Sequence, residues 1–122
     1  MSSCIFCAIT AGVQPAKVVL DNVDFLCFLP LDQEVPGHTL IVSKAHYASL
    51  LDAPPHIGTS LIEVCQSLVQ IYSNSMGATS FNLLSANGAD AQQSVWHLHL
   101  HFLPRKPMDA INAWPQLLGS TT

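Results

Sequence analysis

Near the end of the chain, three histidines alternate with apolar residues in the run His97-Leu98-His99-Leu100-His101. A β-strand turns successive side chains to opposite faces, so the three imidazoles would share one face, each about 6.6 Å from the last. Leu98 and Leu100 would then face the other side, where they can enter a hydrophobic core. Imidazole can act as a base, an acid, a nucleophile or a metal ligand near neutral pH. The run therefore predicts a strand with one core face and one chemically reactive face.

The composition limits the size of the fold and the kinds of partner. With 122 residues, of which 49% are apolar, we expect one domain spanning residues 1–122, too short for a (β/α)8 barrel. The strong cations are Lys17, Lys44, Arg105 and Lys106, too few for a nucleic-acid-binding surface. Apolar runs are much shorter than a membrane span, and the chain does not begin like a secretory signal. We therefore expect no nucleic-acid or membrane partner and a cytoplasmic location.

The four cysteines fall into two groups. Cys27 and Cys65 lie in apolar surroundings and are expected to be small core residues. Cys4 and Cys7 form a C-x-x-C pair. In a cytosolic chain such a pair is more often metal-binding or redox-active than a structural disulfide.

The longest periodic segment is a helix that begins after Pro54-Pro55 and ends at Gly77, a natural C-terminal cap. One apolar stripe follows helical spacing: Leu61, Val64, Cys65, Leu68, Tyr72 and Met76. The other predicted elements are a short helix at 4–11 and strands at 18–20, 25–29, 38–43, 80–85 and 95–103. Paired strands with one long helix covering a face predict an α+β fold with a mainly antiparallel sheet.

Several motifs together resemble one known family. Residues 97–103 match the pattern His-φ-His-φ-His-φ-φ, where φ is apolar. Upstream lie Cys4-Ile5-Phe6-Cys7, the run Pro36-Gly37-His38-Thr39-Leu40-Ile41-Val42, Gly88 and Gln93-Ser94-Val95. These motifs resemble the histidine triad (HIT) superfamily, in its small nucleotide-binding branch with an N-terminal C-x-x-C. The resemblance implies a five-stranded antiparallel sheet with two helices, and a homodimer that joins two such sheets into one.

The resemblance also implies an activity. Family members of this kind hydrolyse or transfer a nucleotidyl group at the α-phosphorus of a nucleoside phosphate derivative. His99 would be the nucleophile, presented bare between its neighbours, and would form a nucleotidyl-imidazole intermediate. His38 and His101 would hydrogen-bond the phosphoryl oxygens, and Ser94 would meet the phosphate or the leaving group. Further nucleotide and phosphate contacts would come from Asn87, Gln92 and Gln93, including backbone N–H groups.

A second implied site is a metal centre. In the relatives with a C-x-x-C pair, those cysteines join two histidines, which correspond here to His46 and His97. Two thiolates and two imidazoles are the ligands of a closed, tetrahedral zinc site. Cys4, Cys7, His46 and His97 are therefore expected to hold a structural zinc ion, and no organic cofactor is expected.

Three positions depart from the family pattern. Pro30 stands where the family commonly has an acidic or amide residue that contacts the ribose. Ala86 replaces a usual amide beside Asn87, and Gln92 replaces a glycine before Gln93-Ser94. Unpaired ribose hydroxyls cost about 1–3 kcal/mol each, so we expect weak binding of AMP.

Two alternatives stay open at this stage. The departures favour a non-catalytic nucleotide-binding or scaffold protein, whereas the presence of His99, His101 and Ser94 together favours an enzyme. A metallohydrolase that uses the histidine row as a catalytic metal site is less favoured, because no carboxylate lies between Asp90 and Asp109. Near the end of the chain, Trp114-Pro115 would either reach the partner's site or anchor on its own surface.

Overall fold

The structure is a computed structural model that describes residues 4–33 and 35–113. Trp114-Pro115 lies outside the described residues. The described chain forms an α+β fold with a five-stranded antiparallel sheet and two α-helices, as expected from the sequence. The elements are α1 (Ile5–Thr10), β1 (Lys17–Asp21), β2 (Phe25–Leu29), β3 (Thr39–Ser43), α2 (Ile57–Met76), β4 (Ser80–Leu84) and β5 (His99–Arg105), with a short 3-10 turn at Ala89–Ala91.

The strand order in the sheet is β1-β2-β3-β5-β4. β5, the last strand among the described residues, therefore lies between β3 and β4, and α2 connects β3 to β4 across it. Ile41 of β3 is opposite Leu100 of β5, and Phe102 of β5 is opposite Leu83 of β4. This register places β5, which carries His99 and His101, next to β3, which directly follows His38.

Both faces of the central strands are buried, and alternation assigns each side chain to one of them. Phe25, Ile41, Leu98, Leu100 and Phe102 pack with α2 in the larger core. The other face carries a smaller cluster beneath α1: Phe6, Leu26, Phe28, Leu40 and Val42. Leu98 and Leu100 thus enter the core as predicted. Cys27 and Cys65 are also buried in the larger core, which confirms that expectation.

Helix α2 buries the stripe predicted from its sequence. Val64, Cys65, Leu68 and Tyr72 are buried. The helix ends at Gly77, whose φ of 73° is left-handed and whose N–H donates to the carbonyl of Ser73. This is the glycine C-cap expected from the sequence. In the described part of the chain, neither helix is long and apolar enough to span a membrane.

The fifth strand begins later than the sequence predicts, at His99 rather than residue 95. Just before the strand, Leu98 donates its N–H to the carbonyl of Tyr47, in the loop after β3, and accepts a hydrogen bond from the N–H of Ser43, the last residue of β3. The strand also continues through Pro104 to Arg105. Pairing with β3 ends at Phe102, so only β4 lies beside Pro104, and such a position tolerates a residue without an N–H.

The segment after β5 is fastened by one arginine. Arg105 donates two hydrogen bonds to the Asp109 carboxylate, both 2.8 Å long, and one to Asn82 of β4. The hydrogen bonds from Arg105 lower the pKa of Asp109. Beside this segment, β4 forms an edge of the sheet on which Phe81 and Leu83 are 39% and 38% exposed. The homodimer expected from the resemblance stays a prediction.

Gly37, before β3, predicts a measurable steric effect on stability. Its φ is +79°, and an added Cβ would lie 2.7 Å from Pro104 Cγ. Gly77 has a similar φ of +73° with open space around the added Cβ, so Gly77→Ala should lower the free energy of unfolding by about 1–2 kcal/mol through backbone strain. Gly37→Ala should lower it by about 1–3 kcal/mol more because it adds overpacking. Urea denaturation of both variants measures the difference, and equal losses would contradict this prediction.

Candidate active site and metal cluster

The histidine row lies on the α1 side of the sheet. The rings of His99 and His101 are 5.3 Å apart, and the ring of His97 packs 5.8 Å from Phe6. Phe6 also contacts His99, with the ring centres 5.1 Å apart. The three imidazoles therefore share one face, although His97 precedes the strand itself.

His99 is fixed in one tautomer by the backbone. Its Nδ1 lies 2.8 Å from the carbonyl oxygen of His97. A carbonyl oxygen only accepts hydrogen bonds, so Nδ1 carries the proton and donates it. In the neutral ring, Nε2 then keeps its lone pair. The ring is 8% exposed and packs against Phe6, so it is more enclosed than the bare ring that the resemblance implies.

His101 forms a pair with His38. The Nδ1 atom of His101 lies 2.9 Å from the Nε2 atom of His38. Burial, followed by the neighbouring His38 and His99, lowers the pKa of His101 to about 4. His101 is therefore neutral at pH 7, and one ring of the pair donates to the other.

The loop before the triad is held by Gln93. Its side chain accepts a hydrogen bond from the Gly88 N–H and donates to the carbonyls of Ala48 and Val95. The backbone N–H groups of Gln92 and Gln93 also bond within the loop, to Ala89 and Gly88. Two of the backbone donors expected to bind phosphate are therefore engaged with the protein in this structure.

Ser94 and Gln92 are both exposed at the surface of this loop. Within the described residues, no hydrogen bond is formed by the Ser94 side chain, which leaves its hydroxyl open to a ligand. Gln92 has a left-handed backbone with φ of 68°. This conformation is costly for a residue with a side chain. The replacement of the family's usual glycine by Gln92 therefore carries an energetic cost at this position.

Asn87 connects two loops. Its side-chain oxygen accepts a hydrogen bond from the Leu50 N–H, and its amide donates to the Ser85 hydroxyl, both at 2.8 Å. The neighbouring Ala86 is half-buried. In this structure the Asn87 amide is thus used to position loops.

Four side chains from three parts of the chain meet in a second cluster. The ligating atoms of Cys4, Cys7, His46 and His97 all lie within 4.8 Å of one another. Cys4 and Cys7 come from the start of α1, and Cys4 caps that helix by accepting from the Cys7 N–H. These four residues could hold a metal ion, as the sequence predicts.

The tautomer of His97 suits metal binding. Its Nε2 lies 2.7 Å from the carbonyl oxygen of Ser43 and donates to it. Its Nδ1 therefore presents a lone pair, 3.2 Å from Cys4 Sγ and 3.1 Å from His46 Nδ1. A tetrahedral zinc ion with bonds of about 2.0–2.3 Å separates its ligands by roughly 3.3–3.8 Å, so the cluster needs only small adjustments. Burial also lowers the pKa of His97, which favours the neutral form that binds metals.

The three triad histidines do not converge on one point. His97 turns Nδ1 to the cysteines, whereas His99 turns Nδ1 to a carbonyl and His101 turns it to His38. Among the described residues, the metal-competent group contains only His97 from the triad. The geometry therefore does not support a catalytic metal held by the histidine row.

An apolar cavity of about 690 Å³ adjoins this face of the sheet. Phe6 lines it and also contacts His99, so the cavity and the triad share one wall. Pro30, Asp32, Lys17 and Gln14 also line it. The sequence analysis did not identify this cavity. The available signal was that Leu26, Phe28 and Leu40 point away from α2, which requires a second apolar face.

Comparison with known proteins decides the family. The family model for the HIT domain matches residues 11–108. The chain belongs to the HIT domain family.

This HIT domain has relatives with enzyme names. It is 37% identical over 114 residues to adenylylsulfatase HINT3 from Arabidopsis thaliana, covering 90% of this chain but only 56% of that protein. It is 30% identical over 116 residues to adenosine 5'-monophosphoramidase HNT1 from Saccharomyces cerevisiae, covering 93% of this chain and 71% of that protein. A crystal structure of a zinc-bound histidine triad family protein from Mycobacterium smegmatis superposes with a TM-score of 0.83 at 33% identity, covering 91% of this chain and 81% of that chain.

The neutral His101 ring predicts a pH dependence of stability in this HIT domain. Its pKa in the folded protein is about 4, below the ordinary value of 6.5. The unfolded chain therefore takes up this proton first as the pH is lowered. The free energy of unfolding should fall between about pH 6.5 and pH 4, by up to about 1.4 kcal/mol per pH unit.

Urea denaturation at several pH values measures this slope. The His101→Gln variant lacks the titrating group but keeps a polar side chain beside His38. Its free energy of unfolding should fall less over the same interval. Identical slopes for the variant and the wild type would contradict the assignment to His101.

Proposed function

We propose that this HIT domain is a nucleotidyl hydrolase or transferase that acts at the α-phosphorus of a nucleoside phosphate derivative. The observation that carries the proposal is the hydrogen bond from His99 Nδ1 to the His97 carbonyl, 2.8 Å long. It leaves Nε2 unprotonated, which is the form in which imidazole is a nucleophile. Two relatives are named adenylylsulfatase and adenosine 5'-monophosphoramidase, and both names fit a substrate with an adenylyl group.

The reaction proceeds in two displacements. His99 Nε2 attacks the α-phosphorus and forms a nitrogen–phosphorus bond. The leaving group departs with the electron pair of its own bond to phosphorus and is protonated by solvent. Water, or an acceptor in a transfer reaction, then attacks the same phosphorus and loses a proton, while the nitrogen–phosphorus bond breaks and its electron pair returns to His99 Nε2. His99 returns to its starting tautomer because its Nδ1–H stays bonded to the His97 carbonyl.

The His38–His101 pair determines which ring contacts the phosphate. His101 is neutral at pH 7, and a phosphoryl oxygen requires a donor. If His38 Nε2–H donates to His101 Nδ1, then His101 carries its remaining proton on Nε2 and can donate it to the phosphate. His38 then acts chiefly by holding His101 in that tautomer. Preorganised donors of this kind typically contribute about 10²–10³ in rate.

Ser94 and the apolar cavity complete the substrate site. The exposed Ser94 hydroxyl meets the phosphate or the leaving group, beside the exposed Gln92. The nucleoside occupies the cavity next to Phe6, where Asp32 and Lys17 offer polar contacts. Pro30 lies on the same cavity and offers no side-chain hydrogen bond, so AMP is expected to bind weakly.

We also propose that the cluster of Cys4, Cys7, His46 and His97 holds a structural zinc ion. Cys4, Cys7, His46 and His97 have the donor set and spacing that zinc prefers. The Ser43 carbonyl orients His97 from behind, an arrangement typical of metal-binding histidines. The ion would fasten α1 to the sheet, and His99 stays outside its ligand set.

The nucleophile can be tested by trapping the intermediate. Incubation with an adenosine phosphoramidate or a dinucleoside polyphosphate, followed by acid-free intact-mass analysis, should reveal a nucleotidyl adduct on the wild type. His99→Ala should form no adduct and should lose more than about 10³-fold in turnover. The control is His56→Ala, because His56 is exposed and lies outside the site.

An adduct that persists in His99→Ala would rule out this nucleophile. A wild-type protein that binds nucleotide but forms no adduct and shows no turnover would instead support the scaffold alternative.

The zinc proposal has its own measurement. Metal analysis after gentle purification should give about one zinc per chain in the wild type. His46→Ala should lower this ratio and the unfolding temperature, because metal binding contributes directly to the stability of such sites. His56→Ala should change neither. Wild-type protein with only a small fraction of one zinc per chain would contradict the proposal.

A further inference from the structure

Two hydroxyl groups meet inside the larger core. Thr39, in β3, is 0% exposed and Tyr72, in α2, is 7% exposed. The Thr39 hydroxyl donates to the Gly37 carbonyl at 2.8 Å and lies 2.5 Å from the Tyr72 hydroxyl. Because Thr39 has one hydroxyl proton and uses it on Gly37, Tyr72 must be the donor to Thr39. The proton order is therefore Tyr72 to Thr39 to the Gly37 carbonyl.

This hydrogen-bond chain ends at the loop that carries His38. Gly37 and Thr39 are the two neighbours of His38 in the sequence, and both are fixed by the chain. The His38 N–H is bonded to the Val35 carbonyl at 3.0 Å. The backbone that carries the His38 ring, which lies 2.9 Å from His101, is thus held on both sides of it.

Packing and hydrogen bonding make different contributions at Tyr72. Its ring stacks on Phe102, with the ring centres 6.1 Å apart, and this contact does not require the hydroxyl. A Tyr72→Phe change keeps that contact. Hydrophobic burial would anchor α2 to the sheet without any hydroxyl, so the polar pair is not needed for that purpose. Its specific effect is to fix the direction of the Gly37 carbonyl.

We propose that Tyr72 and Thr39 are positioning residues for the His38–His101 pair, connecting the C-terminal half of α2 to the phosphate-binding end of the site. The effect on catalysis rests on the function proposed above, whereas the effect on the imidazole pair does not. Displacements of about 1 Å at a catalytic group can cost up to about 10²-fold in rate. Loss of the hydrogen-bond chain should therefore lower kcat and leave KM nearly unchanged, because His101 contacts phosphate most strongly as charge develops.

The test uses four single variants and two readouts. Tyr72→Phe and Thr39→Val remove one hydroxyl each, Thr39→Ser keeps the hydroxyl, and Val64→Ala shortens a buried α2 residue away from the hydrogen-bond chain. Two-bond ¹H–¹⁵N spectra of the imidazole rings report the tautomers of His38 and His101 without any substrate. Steady-state kinetics give kcat and KM separately.

Tyr72→Phe and Thr39→Val should both shift the ¹⁵N signals of His38 and His101 toward a mixture of tautomers and lower kcat by about tenfold. Thr39→Ser should resemble the wild type, and Val64→Ala should keep the wild-type ring signals even if it unfolds more easily. Unchanged ring signals in Tyr72→Phe, or the same changes in Val64→Ala, would overturn the proposal. If the wild type has no turnover, the proposed function fails, while the ring spectra still decide the positioning role.

Discussion

Burial of β5 on both faces is the constraint on which the site depends. The strand has a neighbouring strand on each side in the sheet, with α2 packed on one face and α1 on the other. Apolar residues at alternate positions fill the α2 face, so the side chains at the remaining positions point to the α1 face. Imidazoles placed there are partly removed from water, and desolvation disfavours their charged forms. Burial accordingly lowers the pKa values of His97 and His101.

Backbone carbonyls then give neighbouring histidines opposite chemical roles. The Ser43 carbonyl accepts from Nε2 of His97, whereas the His97 carbonyl accepts from Nδ1 of His99. The first ring is left with Nδ1 as its basic atom, facing two thiols. The second is left with Nε2, and His99 is not among the residues that could hold the metal. Two identical side chains separated by one residue are thereby divided between a metal cluster and a candidate nucleophile.

The sequence was sufficient for the fold class, the long helix and the composition of the metal cluster. These depend on periodicity, on a glycine cap and on the resemblance carried by short motifs. It was insufficient for the start of β5, because residues 95–98 have strand-like composition, yet the Leu98 N–H bonds to the Tyr47 carbonyl in the loop after β3. Composition does not reveal which backbone partner is available. Strand length is therefore decided by tertiary contacts at both ends.

The contacts of the loop before the triad also could not be predicted from the sequence. Gln93 was expected to meet phosphate, yet its amide is bonded to Gly88, Ala48 and Val95. Glutamine is equally suited to bind a ligand or a backbone, and only the distances distinguish the two. The enclosure of His99 by Phe6 was missed for a similar reason. Phe6 is distant in sequence, and only the packing of α1 on the sheet brings it to the triad.

The place of β5 in the sheet has a consequence for how the molecule is made. Strands β1, β2 and β3 can pair as they emerge from the ribosome, since each meets its immediate predecessor. The edges of β3 and β4 then stay unpaired until β5 inserts between them. Pairing across so long a stretch of chain slows folding and prolongs the exposure of these edges to other chains. The candidate active site needs His99 and His101, so it is complete only after β5 has inserted between its neighbours.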